Sequence, residues 1–202
     1  MTDSNAPRRR APGMSTEQRR EMIVQTALPL VAEYGSNVTT AQIARAAGIG
    51  EATIFRVFAD KEELIQACIA RALDPTQLID HLETISLEQP LADRLLEAAE
   101  AVQGHFGRMG AVLGSLAATG RPLQRTPPTA EDGRRVRRDE SQAATKTAIA
   151  DLFQPDQAQL RVPAPAAAEV FLGFMFARGR SPLTADVEAA DLVDLFLHGA
   201  LK

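Results

Sequence analysis

The sequence predicts an all-α protein. Of its 202 residues, 45% are apolar but only 4% are aromatic, and tryptophan is absent. Alanine and leucine supply much of the apolar content, and both residues favour helix over strand. Apolar residues also recur every three to four positions along most of the chain, which is the period of an amphipathic helix.

Composition also bounds the setting in which the chain works. The single cysteine, Cys68, excludes an internal disulfide framework and a cysteine-based zinc site, and it indicates a reducing compartment. No stretch approaches the roughly 18 consecutive apolar residues of a membrane-spanning helix, and the arginine-rich first residues lack the apolar core of a secretory signal. We therefore expect a cytoplasmic protein without a cofactor.

Charge is distributed unevenly between the two ends of the chain. Residues 1–61 carry 8 Lys and Arg against 6 Asp and Glu, whereas residues 62–202 carry 14 against 20. The N-terminal third is thus the more electropositive part, which permits a polyanionic partner without requiring one.

The chain opens with a predicted arm and a first helix. Residues 1–14 contain Arg8-Arg9-Arg10 and almost no apolar side chain, so they predict a disordered basic arm. From Thr16 onward apolar residues recur at helical spacing, and Gly35 suits the end of this helix. Pro29 within it predicts a kink rather than a break.

Two very short helices follow across a three-residue turn. Thr39 and Gln42 form a capping-box pattern at the start of the second helix, and Gly48 suits the left-handed conformation that ends it. A third helix begins after Gly50 and turns Ile54 inward. Neither helix is long enough to be stable alone, so the two must pack as a pair against their neighbours. This arrangement is a helix-turn-helix.

The remainder of the chain also consists of helix patterns. Asp60 and Glu63 repeat the capping pattern before a fourth helix that continues to Ala72. Residues 119–133 are rich in turn formers and predict a long loop. Further helices are predicted at 76–85, 91–103, 105–118, 134–153, 163–178 and 184–200. We expect a helix-turn-helix domain at 15–60, joined by the fourth helix to a larger helical domain within 61–202.

The stretch TTAQIARAAGIGEATIFRVFADKEEL, residues 39–64, resembles the DNA-binding signature of TetR-family transcriptional regulators. The shared pattern is a threonine pair, Ile-Ala, Ala-Gly, a small residue followed by two aromatic positions, and then lysine with acidic residues. The resemblance covers residues 16–72 with high specificity and the rest through general architecture. It implies a ligand-responsive regulator, expected to be a repressor, that binds a palindromic operator as a homodimer.

The resemblance also implies which residues contact DNA. Phosphate contacts are expected at helix starts, where free backbone N–H groups and the helix dipole favour an anion: Thr40, Thr53 and Lys61. Base reading is expected from the exposed part of the third helix and its neighbour on the second: Arg45, Gly50, Glu51, Ala52 and Arg56. Phe55 stands where the family usually has a tyrosine, so the ring is kept and a phosphate-binding hydroxyl is lost.

Several of these residues have two interpretations. Glu51 either accepts from a cytosine amino group or complements the dipole at the start of its helix. Arg56 either pairs with guanine or is a solvated surface residue. The Arg8-Arg9-Arg10 cluster either enters an adjacent minor groove or belongs to a free tail. The run RRVRR at 134–138 is interpreted as a solvated face.

In the larger domain we predict an effector pocket and a dimer interface. The glycines at 104, 107, 110 and 114 share one side of a helix and leave either close helix contact or room for a small, largely apolar ligand. The pocket residues are predicted as His105, Phe106, Met109, Gly110, Leu113, Phe171, Phe174 and Met175, each of which is otherwise plain core. The interface residues are predicted on the last two helices as Val170, Phe171, Leu192, Leu195, Phe196 and Gly199.

Enzymatic interpretations find little support in the sequence. It contains no phosphate-binding glycine loop, no HExxH and no CxxC pattern, and its three histidines are far apart along the chain. The alternative function from another class is a helical protein–protein adaptor that keeps this fold without specific DNA binding. Phe55 and Gly50 leave that alternative open, whereas Thr40, Arg56 and Lys61 argue against it.

Overall fold

The computed structural model describes residues 14–119, 128–180 and 187–200. These residues form α-helices and two short 3-10 helices with no β-strand, which confirms the predicted fold class. The α-helices are α1 (Thr16–Tyr34), α2 (Thr40–Ala46), α3 (Glu51–Phe55), α4 (Lys61–Leu73), α5 (Thr76–Thr84), α6 (Leu91–Ala118), α7 (Pro128–Phe153), α8 (Ala164–Arg180) and α9 (Ala189–Ala200). The 3-10 helices are Gly35–Asn37 and Gln154–Gln159. Within the described ranges, no helix combines the length and the apolar character that crossing a membrane requires.

Local capping signals fix the starts of the short N-terminal helices. At α2, the Thr39 side chain accepts from the Gln42 backbone N–H while the Gln42 side chain accepts from the Thr39 N–H, which confirms the predicted capping box. At α4, Asp60 accepts from the Glu63 N–H at 2.8 Å. The Glu63 carboxylate reaches one residue further back than predicted and accepts from Ala59 at 2.8 Å.

Two glycines make the turns that bring these helices together. Gly35 ends α1 with φ +57°, and Gly48 follows α2 with φ +65°, so both adopt the left-handed region that favours glycine. Both glycine positions were predicted from the sequence. The first helix continues through Pro29 as a single element of 19 residues.

The helices surround two hydrophobic cores. The N-terminal core joins α1 to α4, and it is completed by two residues from α6, Val112 and Leu116, which are 1% and 0% exposed. The second core is formed by α5 to α9 and contains the aromatic cluster Phe153, Phe171 and Phe196. Because α6 contributes side chains to both cores, the two are connected by one continuous helix.

Two predicted boundaries in the C-terminal part are wrong. The sequence predicts separate helices at 91–103 and 105–118, yet α6 runs unbroken through Gly104 for 28 residues. The predicted loop at 119–133 is shorter, because α7 begins at Pro128. Proline suits the first position of a helix, since the backbone N–H that it lacks has no partner there. Residues 1–13 and 120–127, which include the predicted arm, lie outside the described residues, as do the side chains of the RRVRR run.

A buried charge ties the start of α6 to the 3-10 helix after α7. Arg94 is 1% exposed, and its Nη2 donates to the carboxylate of Asp156. Its Nε and Nη1 atoms are buried without a hydrogen-bond partner. Arg94 lies four residues before the buried Ala98, so a charged residue occupies the apolar stripe of α6 and must be paired.

Candidate nucleic-acid interface

The third helix exposes one face to solvent and buries the other. Ile54 is 0% exposed and anchors α3 in the N-terminal core. The exposed residues recur at helical spacing and therefore share the outer face, with the half-buried Thr53 beside them: Gly50, Glu51, Ala52, Phe55 and Arg56. Arg45, in the last turn of α2, is also exposed. The structure thus brings the predicted base-reading residues onto one surface.

A hydrogen bond between the starts of α2 and α3 changes the interpretation of two predicted contacts. The Thr40 hydroxyl donates to the Glu51 carboxylate. The sequence assigned this hydroxyl to a DNA phosphate and Glu51 to a base or to the helix dipole. In the free protein the two side chains bind each other, which fixes the carboxylate at the edge of the exposed face. A carboxylate accepts several hydrogen bonds, so Glu51 keeps capacity for a base.

Lys61, at the first position of α4, also has a partner within the protein. Its Nζ donates to the backbone carbonyl of Ser36 at 2.7 Å, and its side chain is half-buried. Ser36 lies in the 3-10 turn between α1 and α2. An ammonium has three N–H donors, so two of them remain for a phosphate. The contact between Lys61 and DNA stays a prediction.

Arg20 is a structural residue of this surface that the sequence analysis missed. Its Nη1 donates to Glu63 at 2.9 Å and to the carbonyl of Val57 at 3.3 Å, and its guanidinium carbon lies 4.3 Å from the centroid of the Phe58 ring. Arg20 therefore fastens α1 to the segment between α3 and α4. A signal was present in the sequence, because Arg20 precedes the buried Ile23 by three residues and so lies on the apolar stripe of α1.

The environment of Glu63 keeps this carboxylate ionised. The backbone N–H of Ala59 and the Arg20 guanidinium hold the pKa of Glu63 below its usual range.

The single cysteine lies in the N-terminal core. Burial raises the pKa of the Cys68 thiol to about 12, so that this cysteine is protonated and unreactive at neutral pH.

The helix-turn-helix geometry agrees with a family-level match. Residues 23–68 match the family described as bacterial regulatory proteins, tetR family. These residues are therefore similar to the N-terminal DNA-binding domain of the TetR family. Members of this family are DNA-binding transcriptional regulators, and in a helix-turn-helix it is the exposed face of the second helix that enters the major groove.

Solved structures of TetR-type proteins share the fold over almost the whole chain. A TetR-family regulator from Agrobacterium tumefaciens is 18% identical, with 93% of this chain and 100% of that chain covered and a TM-score of 0.57. NalD, the secondary repressor of the MexAB-OprM multidrug efflux pump in Pseudomonas aeruginosa, is 23% identical over 93% and 99%, with a TM-score of 0.53. SmeT, solved as a complex with triclosan, is 15% identical over 91% of both chains, with a TM-score of 0.54. At these sequence identities, the comparisons show a shared fold and nothing more specific.

The predicted effector residues fall into two groups. Phe171 and Met175 are 0% exposed and fill the second core. By contrast, a half-buried stripe runs along α6 at a spacing of three and four residues: Phe106, Met109 and Leu113. Phe106 stacks edge-to-face on Phe176 at 5.6 Å, whereas Phe174 contacts Phe196 of α9 at 6.1 Å.

His105 and several glycines lie on α6 along with the half-buried stripe. His105 is 8% exposed, its ring lies 6.0 Å from that of Phe106, and burial together with Arg108 holds its pKa below the usual range. A Cβ at position 107, 110 or 114 would meet no atom of the described chain within 4 Å. These glycines therefore make no close helix contact among the described residues, and the exposed Gly110 leaves open space beside the half-buried stripe.

The predicted dimer residues likewise separate into buried and exposed positions. Phe171, Leu192 and Phe196 are 0%, 7% and 5% exposed and pack in the second core, so they stabilise the subunit itself and offer no surface to a partner. Val170 and Leu195 are 51% and 63% exposed, and Gly199 is exposed as well. Only the latter group remains available for contact with a second copy.

Proposed function

We propose that this protein is a cytoplasmic repressor that binds a palindromic operator as a homodimer and releases it when a small, largely apolar effector binds. The observation that carries the proposal is the outer face of α3, where Glu51, Ala52 and Arg56 are exposed opposite the buried Ile54. A helix fixed in this way presents fixed side chains to the edges of bases in the major groove.

The proposed DNA contacts are of two kinds, one to phosphates and one to bases, and they affect affinity and sequence preference differently. Lys61 at the start of α4 contributes charge to a phosphate, which carries no sequence information. Arg56 at the end of α3 reads a base, for which a guanine offers two acceptors. Arg45 of α2 is exposed and Thr53 of α3 is half-buried, and both add polar groups to this surface.

The experiment that tests this function starts with genomic fragments selected by the purified protein. With a selected duplex, Lys61→Ala should weaken binding to all sequences about equally and lower the slope of log K against log salt by roughly one unit. Arg56→Ala should instead relax the preference for one base pair, worth roughly 1–3 kcal/mol. If both variants keep wild-type affinity and preference, α3 does not dock on DNA as proposed.

Dimerisation is supported by exposed apolar side chains on the last two helices. Val170 and Phe174 on α8 and Leu195 on α9 are each more than a third exposed. Phe174 contacts the core residue Phe196, so this surface is continuous with the α8–α9 packing. Two copies that meet here form an isologous contact, whose two-fold axis matches that of a palindromic operator.

An effector site is supported by the apolar stripe of α6. Phe106, Met109 and Leu113 are only half covered, and the missing side chain at Gly110 leaves space for a ligand next to them. Among proteins of the same fold, NalD is a repressor and SmeT has been solved in complex with triclosan, and we propose a repressor role and small-molecule binding for this chain as well.

The adaptor function retains support from one specific observation. Two of the predicted phosphate contacts, Thr40 and Lys61, already have partners inside the protein, and Phe55 offers no hydroxyl. An adaptor would show no salt-dependent binding to any selected duplex. The fragment selection described above therefore separates the two functions directly.

A further inference from the structure

The C-terminal end of α6 is seated directly on the turn between α1 and α2. Gly35 is buried at this contact, and a Cβ added to it would lie 2.4 Å from the backbone oxygen of Ser115. Val112 and Leu116 flank the contact and belong to the N-terminal core. The end of α6 and the turn are therefore in backbone-to-backbone contact.

Hydrogen bonds connect this contact to the predicted phosphate-binding lysine. The Ser36 backbone N–H donates to the Thr119 hydroxyl oxygen at 3.0 Å, and that hydroxyl donates in turn to the Ser115 carbonyl at 2.9 Å. The Ser36 side chain donates to the Thr119 carbonyl at 3.4 Å. On its other side, the Ser36 carbonyl accepts from Lys61 Nζ at 2.7 Å. Ser36 is thus held by Thr119 at its N–H and binds Lys61 through its carbonyl.

We propose that Thr119, which lies just beyond the end of α6, is a positioning residue for DNA binding that orders the ammonium of Lys61 through Ser36. The proposal rests on the proposed function of Lys61 as a phosphate contact. A free lysine side chain loses rotamer entropy when it is immobilised. With the ammonium already held by the Ser36 carbonyl, much of that loss occurs before DNA arrives, which leaves more of the contact energy for binding.

The position of Thr119 connects the ordering of the Lys61 side chain to the proposed effector site on α6. α6 carries the stripe that begins at Phe106, thirteen residues and roughly 20 Å before Thr119 along the same helix. A shift of α6 along its axis moves Thr119 relative to the turn, so that the Ser36 N–H loses its acceptor and the Ser36 carbonyl is no longer held in place to anchor Lys61. The strength of the proposed contact between Lys61 and a phosphate therefore depends on the position of the C-terminal end of α6.

The test uses the full chain, a duplex selected by the wild type, and two matched substitutions. Thr119→Val keeps the shape of the side chain and removes the hydroxyl, whereas Thr119→Ser keeps the hydroxyl. We expect Thr119→Val to weaken DNA binding by about three- to tenfold, as loss of a preordered contact implies, and Thr119→Ser to bind within about twofold of the wild type. In a Lys61→Ala background, Thr119→Val should cause no further loss of affinity, although its effect on melting temperature persists.

Two outcomes of the binding assay would overturn the proposal. One is that Thr119→Val binds as tightly as the wild type, and the other is that its effect on affinity multiplies with that of Lys61→Ala, as for a purely structural residue. A DNA-free measurement separates this result from failure of the proposed function. Carbon-13 relaxation at the Lys61 Cε should show greater mobility in Thr119→Val than in the wild type, and unchanged mobility contradicts the inference even when no duplex binds.

Discussion

At the scale of single residues, the arginines determine how the helices are joined. Arg20 and Arg94 each lie on the apolar stripe of a helix, and each is paired with a carboxylate on a different element. Their environments differ, because the Arg20 side chain is 32% exposed and the Arg94 side chain 2%. Water screens the first pair, so that it fixes geometry rather than adding much stability. The second pair is shielded, and the loss of one partner is costly.

Replacing Asp156 with alanine should therefore lower the free energy of unfolding by about 3 kcal/mol, since it leaves the Arg94 charge buried and unpaired. Arg94→Met, which removes the charge and keeps an apolar side chain of similar length, should cost less than about 1 kcal/mol. Urea denaturation of the two variants measures both values. Equal losses would mean that the side chains act through packing alone and that the buried charge is unimportant.

At the scale of elements, turns and helix ends are set by the glycines. Gly48 has a positive φ in open space, whereas Gly35 has a positive φ against the backbone of α6. A side chain is strained by the backbone conformation at both positions, and at Gly35 it also meets the backbone of α6.

Gly48→Ala should cost about 1–2 kcal/mol, which is the price of a left-handed conformation for a residue with a Cβ. Gly35→Ala should cost clearly more, because its Cβ would also lie 2.4 Å from the Ser115 oxygen. Gly114→Ala, within α6 and with no atom of the described chain within 4 Å of its Cβ, should instead stabilise by roughly 0.5–1 kcal/mol. Urea denaturation gives the order of the three variants, and an equal cost at positions 35 and 48 would contradict the close α6 contact.

The open face of α6 gives a prediction for effector binding. Gly110→Trp should fold normally, because its Cβ meets no atom of the described chain within 4 Å, and the indole should cover the space beside Met109. We expect this variant to keep operator binding and to lose its response to a compound found by screening for a rise in melting temperature. Ala111→Trp, at the exposed neighbouring position, is the control and should respond as the wild type does. A normal response of Gly110→Trp places the effector elsewhere.

The elements also show which features a sequence encodes locally. The capping box of Thr39 and Gln42 and the turn at Gly48 depend on residues within a few positions of each other, and all were predicted. The continuity of α6 was not predicted. Gly104 costs about 1 kcal/mol in the interior of a helix, but the packing of α6 on both cores outweighs this cost. The Lys61 anchor was also missed, since its partner is a backbone carbonyl 25 residues away that no side-chain pattern reveals.

At the scale of the whole molecule, the exposed apolar residues of α8 and α9 predict the oligomeric state. The wild type should sediment as a dimer at micromolar concentration, and Leu195→Glu should sediment as a monomer, because a carboxylate cannot be buried there without a partner. Leu195 is 63% exposed in the subunit, so the change should leave the fold intact. Leu87→Glu, at a position 47% exposed between α5 and α6, is the matched control and should remain dimeric. A monomeric wild type would refute the proposed interface.

Because α6 completes both cores, the protein is not divided into exchangeable parts at the junction of α4 and α5. A chimera that joins residues 14–74 to the C-terminal domain of another regulator would put foreign side chains where Val112 and Leu116 lie, and a foreign helix surface against Gly35. A functional chimera must therefore take the second half of α6 together with the DNA-binding helices. The region around Gly107, between Phe106 of the second core and Val112 of the N-terminal core, is the natural crossover point.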